Sequence, residues 1–502
     1  MVVGSGPNGL AAAVICARAG LGVLVVEAQP EPGGGARTLD LGLAPDLVHD
    51  LCSAVHPLAV VSPFLRELDL SARGVELLHA EAAYAHPLDG GRAGLVYRSL
   101  DRTVDGLGVD GRAWRRLLGP FVDRADALVE VVLGDRMRRG GGPLAHGPTA
   151  LRLVAGLLEQ GTVAADARFR ADVAPALLTG VGAHANVRLP SPAAAGTALM
   201  LAALAHVGGW PVPRGGSRAI TDVLVADLRA HGGELVTGVT VTDLGELPRA
   251  RAYLLDTTPR TAVRVLGDRL PPGRARALAR FPYGNGVAKV DLVLAGPVPW
   301  QHPEVGRAGT VHLGGSRAQI TRAESDVAAG RHARHPVVLV SDPTVADPSR
   351  RGPTGLRPLW TYAHVPAGST RDMTETITAQ IERFAPGFRD VVVASRAVPA
   401  SRMSEHDANY PDGDIGSGLV SAYRLLARPR LAVDPYRLGV SGVYLCSAST
   451  PPGPGVHGMA GWHAARRVLR DRFGITRMPG LAPTSGPTPR PTGPDRTPFT
   501  DG

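Results

Sequence analysis

Six residues near the N-terminus limit the fold more than any other feature. Gly4-Ser5-Gly6-Pro7-Asn8-Gly9 follows the apolar pair Val2-Val3 and opens a segment whose apolar residues Leu10, Ala13, Val14 and Ala17 recur at helical spacing. Gly20 ends that helix, and the run Val23-Leu24-Val25-Val26 reads as a strand buried on both faces of a parallel sheet. Glu27 closes the second strand 18 residues after Gly9. Gly4 permits the tight turn, Gly6 lets the backbone approach a pyrophosphate, and Gly9 lets helix and strand pack closely. Pro7 suits the first helical turn, Asn8 lies within the turn, and the helix N-terminus stabilises phosphate charge. The carboxylate of Glu27 can accept hydrogen bonds from an adenosine ribose. A GxGxxG alone is a weak signal; between a strand and a helix and followed by an acidic residue, it predicts dinucleotide binding. Only three residues precede Gly4, where a strand usually has about five or six, so the start of the chain reads as trimmed.

The segment after Glu27 selects among dinucleotides. Pro32-Gly33-Gly34-Gly35-Ala36-Arg37-Thr38 is a second glycine turn ending in arginine. Its backbone N–H groups and guanidinium suit the same pyrophosphate, which makes Gly33, Gly34, Arg37 and Thr38 candidate cofactor residues and FAD the expected cofactor. An NAD-dependent dehydrogenase does not usually need this turn.

A chain of 502 residues with 44% apolar and 20% charged composition suits a soluble protein of two or three domains. The net charge of +9 favours anionic partners, but the arginines are interspersed with carboxylates and form no basic stripe with interleaved aromatics. That pattern argues against nucleic acid and leaves a bias toward phosphates or a peripheral membrane contact. Cys16, Cys52 and Cys446 form no CxxC, which fits a reducing, cytoplasmic setting and excludes dithiol chemistry. The longest apolar stretch, residues 193–207, is shorter than the roughly 20 residues a membrane span needs, and reads as a buried helix or tunnel wall.

From about Leu41 to Pro211 the pattern is mostly helical, with amphipathic segments over 113–133 and 151–158. A second α/β pattern follows: a helix over 220–230, Gly232-Gly233 as its stop, and an alternating strand over 235–241. Further strands are expected at 287–294, 337–340 and 443–446, with helices at 373–384 and 458–472. Beyond Ile475 the chain is rich in Pro, Thr and Gly and reads as a disordered tail over 476–502.

GSGPNGLAAA, the GGGART turn, HVGGWPVPRGGS at 206–217, NYPDGDIGSG at 409–418 and VYLCSASTPPGPGVHGMAGWHAA at 443–465 together resemble the phytoene desaturase and amine oxidase superfamily of FAD-dependent oxidoreductases. Within it they resemble most the phytoene-desaturase-like branch of pyridine nucleotide-disulfide oxidoreductase domain-containing protein 2. The resemblance implies an α/β fold: a Rossmann-like, glutathione-reductase-like FAD-binding domain assembled from 1–75, 212–285 and 420–475, with an inserted α+β substrate domain at 76–211 and 286–419. It implies oxidation of a largely apolar small molecule by hydride transfer to flavin, with oxygen or quinone as acceptor. It places the backbone of Val241 against adenine, and Gly458 and Met459, at the start of the last helix, against the flavin ring.

By the same resemblance Lys289, the only lysine in the chain, stands where amine oxidases hold a water at flavin N5. Lysine supplies a compact ammonium that arginine does not. The alternative is an ion pair with Asp291 on the same strand face. His56 and His457 are candidates for bordering the substrate site. His49-x2-Cys52-x3-His56 has spacing that could suit zinc but lacks a fourth ligand, so no metal is expected. Ser217 lacks a nucleophile-elbow pattern and reads as part of a turn. A competing reading, a flavin-binding scaffold with little turnover, stays open because no complete acid/base set can be assembled from the residues.

Overall fold

The computed structural model of the chain describes residues 1–135 and 145–483, so most of the expected 476–502 tail lies outside the described residues. Two sheets organise the molecule. The first is parallel and has five strands, in the order Val443–Leu445, Tyr253–Leu255, Val2–Val3, Leu24–Val26 and Glu234–Val236. Alternate residues of these strands enter different cores. Val2, Val25 and Leu254 pack with Leu10 and Val14 of the helix Pro7–Arg18, whereas Val3, Val26 and Leu255 pack with Ala262, Val265 and Leu266 of the helix Pro259–Leu266. Burial on both faces is why these strands read as unbroken apolar runs. The helices Arg218–Ala230 and Met459–Phe473 both pack against Pro7–Arg18.

The second sheet has seven strands, in the order Val392–Val398, Gly286–Leu294, Arg357–Val365, Val338–Ser341, Thr310–Leu313, Ala82–Leu88 and Arg92–Tyr97. Its neighbours are antiparallel except for the parallel contact between Thr310–Leu313 and Ala82–Leu88. The helix Pro192–Val207, capped by Ser191, whose Oγ accepts from Ala194 N, runs through the interior among Gly147–Gln160, Val173–Gly182 and Gly111–Val122.

Three local expectations are refined. The stretch 41–211 is mostly helical as expected, but it also contributes the hairpin Ala82–Leu88/Arg92–Tyr97. Its alanines and Pro87 have low strand propensity, and pairing with the larger sheet overrides it. The segment 113–133 is two helices, Gly111–Val122 and Ala125–Leu133; Pro120 lacks the N–H that would tie the last turn of the first. The alternation over 235–241 yields only the strand Glu234–Val236, because Gly238 takes a left-handed φ of 76° and turns its N–H to Gln29 O.

Candidate functional site

The turn at Gly4–Gly9 is closed by contacts that only glycine allows. Gly4 has φ of 95° and donates to Val26 O. A Cβ on Gly9 would lie 2.2 Å from Gly4 O. The second glycine turn sits directly on the first: Gly33 N donates to Ser5 O at 3.1 Å, and a Cβ on Gly34 would lie 3.0 Å from Gly6 Cα. Gly35 admits Tyr410 Oη, 1.9 Å from where its Cβ would be. Pro7 opens the helix, and the buried Asn8 has an Oδ1 without a partner. Two backbone turns, a helix N-terminus and an unsatisfied buried amide form a cradle that fits a dinucleotide pyrophosphate.

Around this cradle Glu27 accepts from Ser5 N, Ser5 Oγ and Gln29 N. Val239 N donates to the backbone O of Glu27, which ties the segment leading to buried Val241 to the end of the second strand. Arg37 is buried with its donors turned to Gly34 O, Gln29 Oε1 and His406 O; it braces the glycine turn from behind. Thr38 Oγ1 donates to Asp50 Oδ1 at 2.6 Å and accepts from Arg218 N.

Two further carboxylates were not foreseen. Asp256, at the end of the strand Tyr253–Leu255, accepts from Gly9 N at 2.8 Å. Asp407 lies beyond it, and Asn409, bonded to Asp407 Oδ1, donates to Asp256 O. Burial, with each other or Glu27 nearby, pushes Asp256 up to about 7 and Asp407 up to about 6. Near neutrality Asp256 is therefore protonated much of the time, which reduces its conflict with a bound anion.

The last helix meets the cradle by close approach. Gly458, at φ of 68°, caps Met459–Phe473, and a Cβ on Gly461 would lie 1.9 Å from Asn8 O. Met459 N donates to His457 Nδ1 at 3.0 Å, and His457 Nε2 donates to Gly453 O at 3.2 Å. Both ring nitrogens of His457 thus hold the turn, and burial pulls its pKa down to about 4. Ser447 and Ser449 serve the same turn: Ser449 N donates to Ser447 Oγ and Ser449 Oγ to Ser417 O.

One cavity of about 710 Å³ starts at Gly6, Pro7 and Asn8 and continues to an aromatic wall. Its sides are apolar, among them Val131, Leu133, Leu153, Leu157 and Met200; the aromatic wall carries His184, Trp210, Trp360, Tyr362 and His364. Asp414, within the NYPDGDIGSG segment, accepts from Gly284 N, Gly416 N and Gly418 N and so folds a loop onto the cavity. Arg428 locks that loop through the carbonyls of Gly416, Ser417, Gly418 and Ala448.

Of the sequence candidates for chemistry, His56 and His457 line this cavity and Lys289 does not. The Lys289 ammonium is buried in an ion pair with Asp291, whose Oδ1 lies 3.6 Å from His49 Nδ1; the strand pairing the spacing allowed is the one adopted. Ser217 Oγ donates to Ser53 O, so the 2.8 Å contact with His56 is a donation from His56 Nε2. Ser217 is thus a turn residue, and burial holds His56 near a pKa of about 4. Asp256 and Asp407 carried no motif; the alternation Trp360-Thr361-Tyr362-Ala363-His364 was visible but reads as an ordinary strand until its outer face meets a cavity.

The profile of NAD(P)-binding Rossmann-like domains matches residues 2–68. Pyridine nucleotide-disulfide oxidoreductase domain-containing protein 2 of Mus musculus is 25% identical, over 94% of this chain and 93% of its own length. For the Rattus norvegicus protein of the same name the figures are 26%, 53% and 52%, so that match spans about half of the rat protein. An uncharacterized protein of Mycobacterium tuberculosis is 26% identical over 76% of this chain and 77% of its own. Among solved structures, putrescine oxidase bound to putrescine superposes with a TM-score of 0.56 at 18% identity, covering 94% of this chain and 97% of that one. Cyclohexylamine oxidase from Brevibacterium oxydans gives 0.54 at 17%, covering 94% and 98%. The chain thus has the fold seen in these amine oxidases, matches the NAD(P)-binding Rossmann-like domain over residues 2–68, and is similar to the proteins named pyridine nucleotide-disulfide oxidoreductase domain-containing protein 2.

Proposed function

We propose that this chain is an FAD-dependent oxidoreductase, a dehydrogenase or oxidase acting on a largely apolar organic substrate in the manner of the phytoene-desaturase-like enzymes. The observation that carries the reading is the single cavity that joins the pyrophosphate cradle to an apolar, aromatic-walled chamber. Gly4, Gly6, Asn8, Gly9, Gly33 and Gly34 would hold the pyrophosphate, Glu27 the ribose and Val241 the adenine, with the helix start at Gly458 and Met459 near the flavin. Bound there, FAD would supply the hydride acceptor, with oxygen or a quinone as the class of final electron acceptor. The protein's own part is to orient the substrate along the apolar walls, to exclude water through the loop folded on Asp414 and Arg428, and to keep His56 and His457 neutral at the cavity edge.

The test is direct. Purified protein is expected to carry flavin absorbance and to release FAD, not a nicotinamide dinucleotide, on heating; protein that binds neither when FAD is added overturns the proposal.

We also propose peripheral contact with a membrane from the cytoplasm. The helix Gly147–Gln160 lines the cavity through Ala150, Leu153 and Leu157, while Leu151 and Leu158 are 71% and 61% exposed and Val163 just beyond is 80% exposed. An outward apolar row on the helix that walls an apolar cavity gives a water-insoluble substrate a short route inward.

A further inference from the structure

The aromatic wall of the cavity is not uniformly apolar. Trp360, Tyr362 and His364 alternate along the strand Arg357–Val365, so their side chains share one face, and all three line the cavity. Tyr362 and His364 stack at 5.7 Å between ring centroids, and Trp360 meets Tyr362 edge-on at 5.0 Å. Behind His364 the helix Arg317–Ala328 delivers Glu324, whose Oε1 lies 2.7 Å from His364 Nδ1. His364 is 1% exposed and Glu324 is fully buried. With Nδ1 turned to the carboxylate, the remaining ring nitrogen Nε2 has no partner, nor has Trp360 Nε1 on the same face. Polar atoms buried in this way are normally paired, and leaving them unpaired is costly.

We infer that His364 Nε2 is the seat for a neutral oxygen head group, a hydroxyl or its carbonyl counterpart, on an otherwise apolar substrate. The inference rests on the oxidoreductase reading only in calling this ligand the substrate. Three alternatives fit the wall less well. A pure hydrocarbon leaves both nitrogens unpaired. A carboxylate needs a free cation, but Lys289 is paired with Asp291 outside the cavity and Arg428 gives its donors to loop carbonyls. An ammonium needs a carboxylate in contact; Glu324 stands behind the imidazole with Oε1 already bonded to it, and the other carboxylates that line the cavity, Asp256, Asp407 and Asp414, accept from backbone N–H groups of the cradle and the loops. A hydroxyl suits either protonation state of the pair, since Nε2 accepts from it when His364 is neutral and donates to its lone pair when His364 is charged, whereas a carbonyl or ether oxygen pairs only with the charged form. Neighbouring His184, bonded to His312 at 2.8 Å, is held by burial at a pKa of about 3 and adds no charge. Glu324 is a positioning residue, since it acts by fixing which ring nitrogen faces the ligand.

The test uses the full chain and the probes 1-decanol, decane, decyl methyl ether and decylamine, with binding measured by calorimetry and by the shift in thermal midpoint. Neither readout requires flavin, so a protein that binds 1-decanol but no FAD overturns the cofactor proposal and leaves this one standing. The expected result is that 1-decanol binds about tenfold more tightly than the ether or decane. His364→Phe removes that preference and His364→Gln keeps part of it. Glu324→Gln, which still accepts from Nδ1–H, retains the preference, whereas Glu324→Leu loses it; a merely structural glutamate would not separate those two. Should His364→Phe fail to fold, the wild-type ranking and the Gln variant decide alone. Decane or decylamine binding as tightly as 1-decanol, or a preference that survives His364→Phe, overturns the inference.

Discussion

Asp256 couples the cradle to pH more directly than any other residue. It faces Gly9 N, Asp407 and Glu27, and burial raises it from 3.8 to about 7. Between those values the folded chain keeps a proton that the unfolded chain has released. Stability from this group is therefore highest at acidic pH, falls as pH rises through the interval, and levels off above about 7. Asp256→Asn keeps an acceptor for Gly9 N and removes the titration. The loss of stability between about pH 5 and pH 8, read from urea denaturation, should shrink by about 2–3 kcal/mol in the variant. An unchanged pH dependence would show that Asp256 is ionised throughout. Lys289 calls for a different expectation. Because its ammonium neutralises buried Asp291, Lys289→Met should cost about 3–5 kcal/mol, and Lys289→Met with Asp291→Leu should recover most of it. If the single variant is as stable as the parent yet reoxidises its flavin more slowly, the lysine acts on the cofactor instead.

At the scale of elements, the site depends on two helices whose backbones touch. Met459–Phe473 crosses Pro7–Arg18 where Gly461 meets Asn8 O, and Gly458 meets Phe64 and Ala11 at the cap. No side chain fits between them. Gly461→Ala should force the helices apart, lowering stability by about 1–3 kcal/mol and weakening FAD retention more than a surface alanine change such as Arg470→Ala. Wild-type retention after gel filtration would place the flavin away from this crossing. The crossing explains why a second glycine cluster follows the strand Val443–Leu445 although it builds no second dinucleotide fold: three of its glycines shape the turn, with positive φ at Gly453, Gly455 and Gly458. The helices were legible because a 3.6-residue apolar period survives tertiary context. The hairpin Ala82–Tyr97 was not, because its alanines and Pro87 carry little strand propensity; its strands pair with each other and join the larger sheet at Val311, more than two hundred positions away.

For the molecule as a whole, the helix Gly147–Gln160 both lines the cavity and presents exposed apolar side chains. The described residues contain no helix long and apolar enough to cross a membrane, and the contact proposed above is through the exposed face of Gly147–Gln160. Replacing Leu151 and Leu158, both exposed, with Glu should leave the thermal midpoint within about 1–2 °C of wild type while abolishing co-sedimentation with anionic vesicles. Equal sedimentation of the two proteins would remove the membrane proposal. The sequence by itself determined the glycine turns, the doubly buried strands and the dinucleotide class. Those rest on constraints within a few residues: a left-handed φ, a helix start beside a strand end, an apolar run. Only the tertiary structure decided what stands around them. Asp256 reaches Gly9 across 247 positions, Glu324 reaches His364 across 40, and Lys289 found Asp291 instead of the cavity. Burial and pairing of a charged group depend on which distant segment covers it, and no local pattern records that.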